Sequence, residues 1–183
     1  MKEFIKDYVD DLKVALDSLE YNKINEISNI LIDLKDKKKT VFLIGNGGSS
    51  STPSHSAGDW SKTLGIKALC LTDNTAAVTA YANDTSYENI FRGQLETFLE
   101  KGDVVIGYSG SGNSPNVLNA IEYAKECRNL TIGITGNYKN RNGGRLKEIA
   151  DIAIVVNTIS MERIEDVHLI INHIIKEYIR EKI

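Results

Sequence analysis

Two stretches with the same design, TVFLIGNGGSSS at residues 40–51 and DVVIGYSGSGNS at residues 103–114, indicate the fold of this chain. In each, a short apolar run typical of a buried strand leads into a loop rich in glycine and serine, and a helical pattern follows. Apolar strands that alternate with helices predict a parallel sheet covered on both faces. A loop between a strand and a helix also directs backbone N–H groups toward an anion. The two stretches therefore predict an α/β fold and a ligand that carries phosphate.

Three more apolar runs complete a predicted five-stranded sheet, at residues 67–72, 130–135 and 152–156. The helix after the first loop has Pro53 in its opening turn, where a missing N–H does no harm. If the strands take the order 2-1-3-4-5, the order reverses between the first and third strands, and the two loops flank one crevice. We adopt this order as a hypothesis. Helices are predicted from the first loop to about residue 64 and at 74–82, 88–100, 115–127, 145–150 and 161–181.

The first 39 residues predict a pair of helices that precedes the sheet. Residues 3–20 place apolar side chains at helical spacing, and a second amphipathic pattern runs from Ile24 to Leu34. We predict one domain over 1–183, with an N-terminal helical hairpin at 1–39 and an α/β core at 40–183. The fold class is α/β, with a doubly wound five-stranded parallel sheet.

Composition excludes several classes of protein. The chain has 183 residues, 42% of them apolar, and its 22 basic and 25 acidic residues give a net charge of −3. This balance disfavours binding to nucleic acid or to an anionic membrane. The amino terminus lacks the apolar segment of a signal peptide, and no apolar run approaches the ~18 residues of a membrane span. Cys70 and Cys127 are too few for a disulfide framework, so we predict two buried thiols in a cytoplasmic protein.

The chain has only three histidines, so their positions relative to nearby carboxylates are informative. His55 and Asp59 are four apart in the helix after the first loop, which places both side chains on one face. Glu165 and His173 are eight apart in the last helix, so a broad face can present both. His173 lies among isoleucines and needs a polar partner, whereas His168 is assigned a structural role. Together the two carboxylates with His55 and His173 could bind zinc or move protons between neighbouring carbons.

The first loop also contains part of a dinucleotide-binding pattern. Gly45 and Gly47 match the first two glycines of G-x-G-x-x-G, and Asp73 follows the second predicted strand. The third glycine position is Ser50, however, and the second, serine-rich loop would have no role in such a site. One phosphate group held by hydroxyls accounts for more of the sequence.

Five motifs, in this order along the chain, resemble those of the phosphoheptose isomerases of the sugar isomerase (SIS) domain superfamily. They are GNGGS at 45–49, His55-x-x-x-Asp59, Asn83-Asp84, SGSGNSPNV at 109–117, and ERIEDVH at 162–168 followed by His173. The similarity runs nearly end to end. It implies the SIS fold and a cytoplasmic homotetramer that isomerises D-sedoheptulose 7-phosphate to D-glycero-D-manno-heptose 7-phosphate in nucleotide-activated heptose biosynthesis. Many members hold zinc, which implies one ion per subunit.

The resemblance also assigns roles to single residues. The phosphate is expected at Ser109, Gly110, Ser111 and Ser114. Other substrate contacts are expected from Asn46, Gly47, Gly48, Ser49, Asn83, Asp84 and Glu165. The metal ion is expected at His55, Asp59, Glu165 and His173. Asp59 is the expected base, which removes a proton from C1 beside the C2 carbonyl, and His173 is the expected acid.

Two positions depart from the best-known members of the family. Asp59 stands where those members carry Glu, and Glu165 stands where they carry Gln. The shorter aspartate moves the expected base back by one methylene, and the added carboxylate at 165 can restore charge or metal coordination. Isomerase chemistry is still expected, while the sugar and the metal are left open.

A non-catalytic function is the alternative. Some members of the superfamily bind a phosphosugar, or a protein such as the bacterial replication initiator, without catalysis. Such members share the fold and loops but lose catalytic positions. Because both histidines and both carboxylates are retained here, the sequence favours an enzyme.

Overall fold

The computed structural model describes residues 1–183 and contains one five-stranded sheet in which all strands are parallel. The order is β2-β1-β3-β4-β5, as predicted. It reverses between β1 and β3, so the loops after these two strands leave the same edge of the sheet side by side. The strands are β1 (Thr40–Ile44), β2 (Lys67–Cys70), β3 (Val104–Ser109), β4 (Leu130–Gly136) and β5 (Ile152–Val156).

Eight α-helices precede, connect and follow the strands. The helix after the first loop continues into a π-helical turn, Trp60–Leu64, and ends at Gly65 in the left-handed conformation. The helix predicted at 88–100 begins only at Arg92, and Tyr87–Asn89 form a separate 3₁₀ turn. The helices are α1 (Lys2–Asp17), α2 (Tyr21–Asp36), α3 (Gly48–Asp59), α4 (Thr75–Asp84), α5 (Arg92–Phe98), α6 (Pro115–Glu126), α7 (Gly144–Ile149) and α8 (Met161–Lys182).

The strands send their side chains alternately into two buried layers. From β1, Val41 and Leu43 enter the larger core, which α2, α3 and α8 cover. Phe42 and Ile44 enter the smaller core, which α5, α6 and α7 cover. Because both faces of the sheet are covered, the strands consist mainly of apolar residues, and only the edge strand β2 alternates exposed and buried positions. The doubly wound fold predicted from the sequence is therefore confirmed.

The predicted N-terminal helical pair is present on the larger-core side. Ile24, Ile27 and Leu31 of α2 are buried in that core, and α1 contributes Ala15. Much of α1 faces outward and leaves large apolar side chains exposed. These are Phe4, Ile5, Val9 and Val14.

Two smaller predictions are wrong. Pro53 lies at the sixth position of α3 rather than in its first turn, so it cannot donate to the carbonyl of Ser49. Gly45 lies against that carbonyl oxygen, where a Cβ would be only 2.0 Å away, so the turn requires glycine.

The second wrong prediction is that both thiols are buried, since Cys127 is exposed, whereas Cys70 is buried as expected. No helix has the combination of length and apolar character that crossing a membrane requires.

Candidate active site

A cavity of about 230 Å³ lies where the loops after β1 and β3 meet. Nine of the eleven residues predicted to contact substrate line it, so the cavity brings together two loops that are about sixty residues apart in sequence. Tyr108 and Met161 complete the wall, and the sequence analysis did not single them out. The nine are Asn46, Gly47, Gly48, Ser49, Ser109, Gly110, Ser111, Ser114 and Glu165.

Three hydroxyl groups of the second loop face one another at the start of α6. The Ser109 Oγ lies 3.1 Å from the Ser114 Oγ and 3.5 Å from the Ser111 Oγ. Ser114 is the N-cap residue of α6, yet its hydroxyl makes no capping bond to the helix. The hydroxyls and the partial positive charge of the helix terminus are therefore both available to an anion.

The second loop can take this shape only with glycine at position 112. Gly112 has a φ of +64°, in the left-handed region, and a Cβ there would lie 1.7 Å from the carbonyl oxygen of Gly143. The backbone of Gly112 also accepts a hydrogen bond from the N–H of Leu146. The loop is thus anchored to α7 behind the serines, which holds the hydroxyls in place.

The first loop supplies the opposite wall of the cavity. Gly48 begins α3, and the carboxylate of Glu165 packs where a side chain at this position would lie, 2.1 Å from a Cβ. Ser49 donates a hydrogen bond to Glu165 Oε1 at 3.5 Å. Partial burial raises the pKa of Glu165, and the bond from Ser49 opposes that shift. Glu165 therefore belongs to the cavity between the loops.

Asn46 is held by two residues that the sequence analysis missed. Asn46 and Asn116 exchange two amide hydrogen bonds, each of 2.8 Å. The hydroxyl of Tyr87 donates a further bond of 3.1 Å to Asn46 Oδ1. Asn116 is buried and lies two residues beyond Ser114, so the SGSGNSPN motif was the signal that could have revealed it. Nothing in the local sequence distinguishes Tyr87.

A second centre contains His55, Asp59 and His173. The Nε2 atoms of His55 and His173 lie 3.1 Å apart. Asp59 Oδ2 lies 3.3 Å from Nε2 of His55 and 3.9 Å from Nε2 of His173. Two donors on a tetrahedral zinc ion, with bonds of about 2.0–2.1 Å, lie roughly 3.3 Å apart. Two imidazoles and one carboxylate at these separations fit such an ion, so the residues present are consistent with a metal site.

Glu165 is not brought into the second centre, and Asn83 and Asp84 are not brought into either centre. Glu165 is absent from the group of possible metal ligands around His55 and lines the cavity instead. Eight residues separate it from His173 on α8, which is about 12 Å along the helix axis. Asn83 and Asp84 are exposed at the end of α4, where they bond to each other at 2.8 Å, and they do not line the cavity.

Lys176 is a further residue of the second centre that the sequence analysis missed. Its Nζ donates a hydrogen bond of 3.1 Å to Asp59 Oδ2, the oxygen that faces both imidazoles. Lys176 lies three residues after His173, and residues at this spacing share a helix face. The spacing was therefore a usable signal, although most lysines on helices face solvent.

His168 has the structural role predicted for it. It is fully buried, and one ring nitrogen, Nε2, lies 3.2 Å from the carbonyl oxygen of Thr135 in β4. Burial lowers the pKa of His168 to about 4, so the ring is neutral at pH 7. The ring also meets that of Tyr108 edge to face, with the centroids 5.7 Å apart. His168 thereby links α8 to the sheet beneath the cavity.

Comparison with known proteins gives consistent findings. A sequence model of the SIS domain family matches residues 4–136. A curated phosphoheptose isomerase of Sulfurimonas denitrificans is 37% identical over 193 residues, covering 100% of this chain and 97% of that protein.

Solved structures show the same fold. A phosphoheptose isomerase from Francisella tularensis has a TM-score of 0.89 at 22% identity, with 98% of this chain and 96% of that chain covered. One from Neisseria gonorrhoeae has a TM-score of 0.85 at 26% identity, with 97% and 95% covered.

Proposed function

This chain belongs to the SIS domain family, among its phosphoheptose isomerases, and from that premise we propose that it converts D-sedoheptulose 7-phosphate to D-glycero-D-manno-heptose 7-phosphate. It is a phosphosugar isomerase of heptose biosynthesis, and the proposal concerns the particular substrate and product. The observation that carries it is that α3 and α8 join two centres, the serine-lined cavity and the group of His55, Asp59 and His173. An open-chain sugar phosphate has the same two parts, an anionic group at one end and reacting carbons at the other.

In this proposal the phosphate binds in the second loop. The hydroxyls of Ser109, Ser111 and Ser114 donate to its oxygens, and the N-terminus of α6 adds a favourable dipole. Gly48 at the start of α3 lines the opposite side of the cavity, next to the carboxylate of Glu165. The protein provides no lysine or arginine among the lining residues, so affinity depends on hydrogen bonds rather than on ion pairing.

Asp59 acts as the base in the proposed reaction. Its Oδ2 is already bonded within the protein, while Oδ1 has no hydrogen bond there and is the atom we assign to take a proton from C1. The C1 carbanion is stabilised as an enediolate through the neighbouring C2 carbonyl. The protonated Asp59 then returns a proton to C2, which changes the ketose into the aldose.

His173 completes the proton transfers in this scheme. As C1 is deprotonated, the C2 oxygen needs a proton, and as C2 is reprotonated, the C1 hydroxyl must lose one. An imidazole can serve both needs, since a ring nitrogen can accept a proton and then return it. We assign the exchange between the two oxygens to Nδ1 of His173, because its Nε2 faces His55 and Asp59 in the proposed metal site; the side chain is half exposed and lies within reach of solvent.

We also propose zinc, one ion per subunit, as the cofactor. His55, Asp59 and His173 would hold it, and their three donor atoms are spaced for tetrahedral coordination. When bound, the ion supplies Lewis acidity that stabilises negative charge on a substrate oxygen. Glu165 would contact the substrate from the cavity, and its predicted role as a fourth ligand requires a change of its side-chain rotamer away from Ser49.

A homotetramer in the cytoplasm remains part of the proposal. The exposed apolar residues of α1 support an assembly, because Phe4, Ile5 and Val9 are costly to leave in water together. The proposed contacts of Asn83 and Asp84 with the sugar are not supported by the cavity and stay predictions.

Turnover of purified protein tests the proposal. The metal-loaded enzyme is incubated with D-sedoheptulose 7-phosphate in D₂O, and the product is separated and analysed for deuterium at C2. Aldose with solvent-derived deuterium is expected, since the C1 proton passes to a base that can exchange with solvent. Fructose 6-phosphate serves as the matched six-carbon substrate. Turnover of only that sugar would refute the assignment of a heptose, and binding without turnover of either would favour the non-catalytic alternative.

A further inference from the structure

An ammonium group already lies on the carboxylate oxygen that the metal ion would need. Lys176 Nζ is 3.1 Å from Asp59 Oδ2. This carboxylate oxygen, Asp59 Oδ2, is also 3.3 Å from His55 Nε2. Neither side chain is loosely placed on the surface, since Lys176 is 21% exposed and Asp59 is 18% exposed. Lys176 is therefore an ordered part of the centre formed with His55, Asp59 and His173.

We propose that Lys176 competes with the metal ion for Asp59, so that the enzyme binds its metal reversibly and more weakly than its three ligands alone would allow. This inference rests on the proposed metal role of His55, Asp59 and His173. In the metal-free form, Lys176 balances the charge of Asp59. In the metal-bound form, the ammonium must leave Oδ2 or remain beside a divalent cation.

Charge and geometry both favour competition over coexistence. The two imidazoles and Lys176 all converge on Oδ2 of Asp59, so a metal ion held between the imidazoles meets the same oxygen that Lys176 bonds. A lysine stem is flexible, so the ammonium can move to solvent when an ion arrives, but it then loses its partly buried partner. Like charges a few ångströms apart repel strongly in a site of this burial. Whether the ammonium moves to solvent or stays beside the ion, the affinity of the site for metal is lowered.

Removing the positive charge of Lys176 while keeping its apolar stem tests the inference. The variant Lys176→Met keeps the apolar stem and removes the ammonium, and Lys176→Arg keeps the charge. Lys101→Met is the matched control, because Lys101 is exposed in the turn before β3, at the edge of the sheet opposite the site, and its loss changes the net charge equally. Each protein is stripped with a chelator and then titrated with Zn²⁺ against a chromophoric competitor.

Lys176→Met is expected to bind Zn²⁺ at least roughly tenfold more tightly than the wild type, as removal of a nearby unit charge implies. Lys101→Met and Lys176→Arg are expected to gain nothing. Thermal unfolding gives an independent readout, since Zn²⁺ should raise the Tm of Lys176→Met more than that of the wild type. If Lys176→Met does not fold, Lys176→Gln replaces it in both measurements.

Equal Zn²⁺ affinity in the wild type and in the folded Lys176 variant would overturn the inference and leave the isomerase proposal intact. An equal gain in Lys101→Met would also overturn it, because the effect would then come from net charge. If no variant binds Zn²⁺, the metal role and this inference both fail. The D₂O turnover assay separately decides whether the protein is a heptose isomerase.

Discussion

Mild acid should destabilise this protein through one buried imidazole, that of His168. The ring is fully buried between α8 and β4, with Nε2 against the Thr135 carbonyl oxygen and Nδ1 without a hydrogen-bond partner. The aromatic ring that contacts His168 belongs to Tyr108, which is neutral because burial raises the pKa of its hydroxyl. No carboxylate is bonded to the ring, so nothing compensates a positive charge there.

The sign and size of the effect follow from linkage. The pKa of His168 is about 4 in the folded protein and 6.5 for the free side chain. Between these values the unfolded chain binds a proton that the folded protein does not, so this contribution is fully present above pH 6.5 and is lost as the pH falls toward 4. Integration from about pH 7.5 to about pH 5 gives a loss of about 2 kcal/mol in the free energy of unfolding.

Denaturant unfolding at the two pH values measures this loss. The wild type is compared with His168→Gln, whose amide can still donate to the Thr135 carbonyl but does not titrate. Chelator and protein concentration are held constant, because metal binding and association also shift stability. His168→Gln will be less stable at both pH values, since it leaves space in the core, but its dependence on pH should be smaller than that of the wild type by about 2 kcal/mol. Equal pH dependence in the two proteins, or an NMR titration of His168 near pH 6.5, would refute the reasoning.

Three further predictions concern the site and the assembly. Ser111→Ala combined with Ser114→Ala should raise the KM for the phosphosugar roughly tenfold to a hundredfold through lost hydrogen bonds to a charged group, and an unchanged KM would contradict the phosphate site. Asp59→Asn should lower kcat by about 10²–10⁴-fold with little change in phosphate affinity, whereas Glu165→Gln at matched zinc occupancy should retain most turnover. The reverse pattern would show that the two carboxylates have exchanged roles. Deletion of residues 1–20 should give smaller species or aggregates in light scattering, and a truncated protein that stays tetrameric would exclude these residues from the interface.

Local sequence patterns were sufficient to predict the architecture of the sheet and the pairing of its two loops. The five apolar runs became the five strands, and the two Gly/Ser-rich loops could be paired because a parallel sheet places the carboxyl ends of its strands at one edge. His55 and Asp59 could be paired for a similar reason, since four residues make one turn of a helix. The prediction for Pro53 failed at a boundary, because the glycine- and serine-rich end of TVFLIGNGGSSS does not show where the loop ends and the first helical turn begins.

Side-chain direction and contacts between distant elements required the tertiary structure. Glu165 and His173 share a helix, and the sequence allowed both in one metal site, but the approach of α8 to Gly48 brings the Glu165 carboxylate to the cavity. The same packing brings Lys176 to Asp59, 117 residues away. Asn83 and Asp84 point to solvent because α4 ends beyond the cavity.

The sequence by itself determined the sheet, its helices and the two loops that form the cavity, because hydrophobic periodicity and glycine-rich turns act over a few neighbouring residues. The tertiary structure decided which polar side chains meet, since that depends on how α3 and α8 cross and on which rotamers remain once both are packed. It thereby decided the separation of the serine cavity from the His55, Asp59 and His173 centre, and the presence of a lysine in the latter.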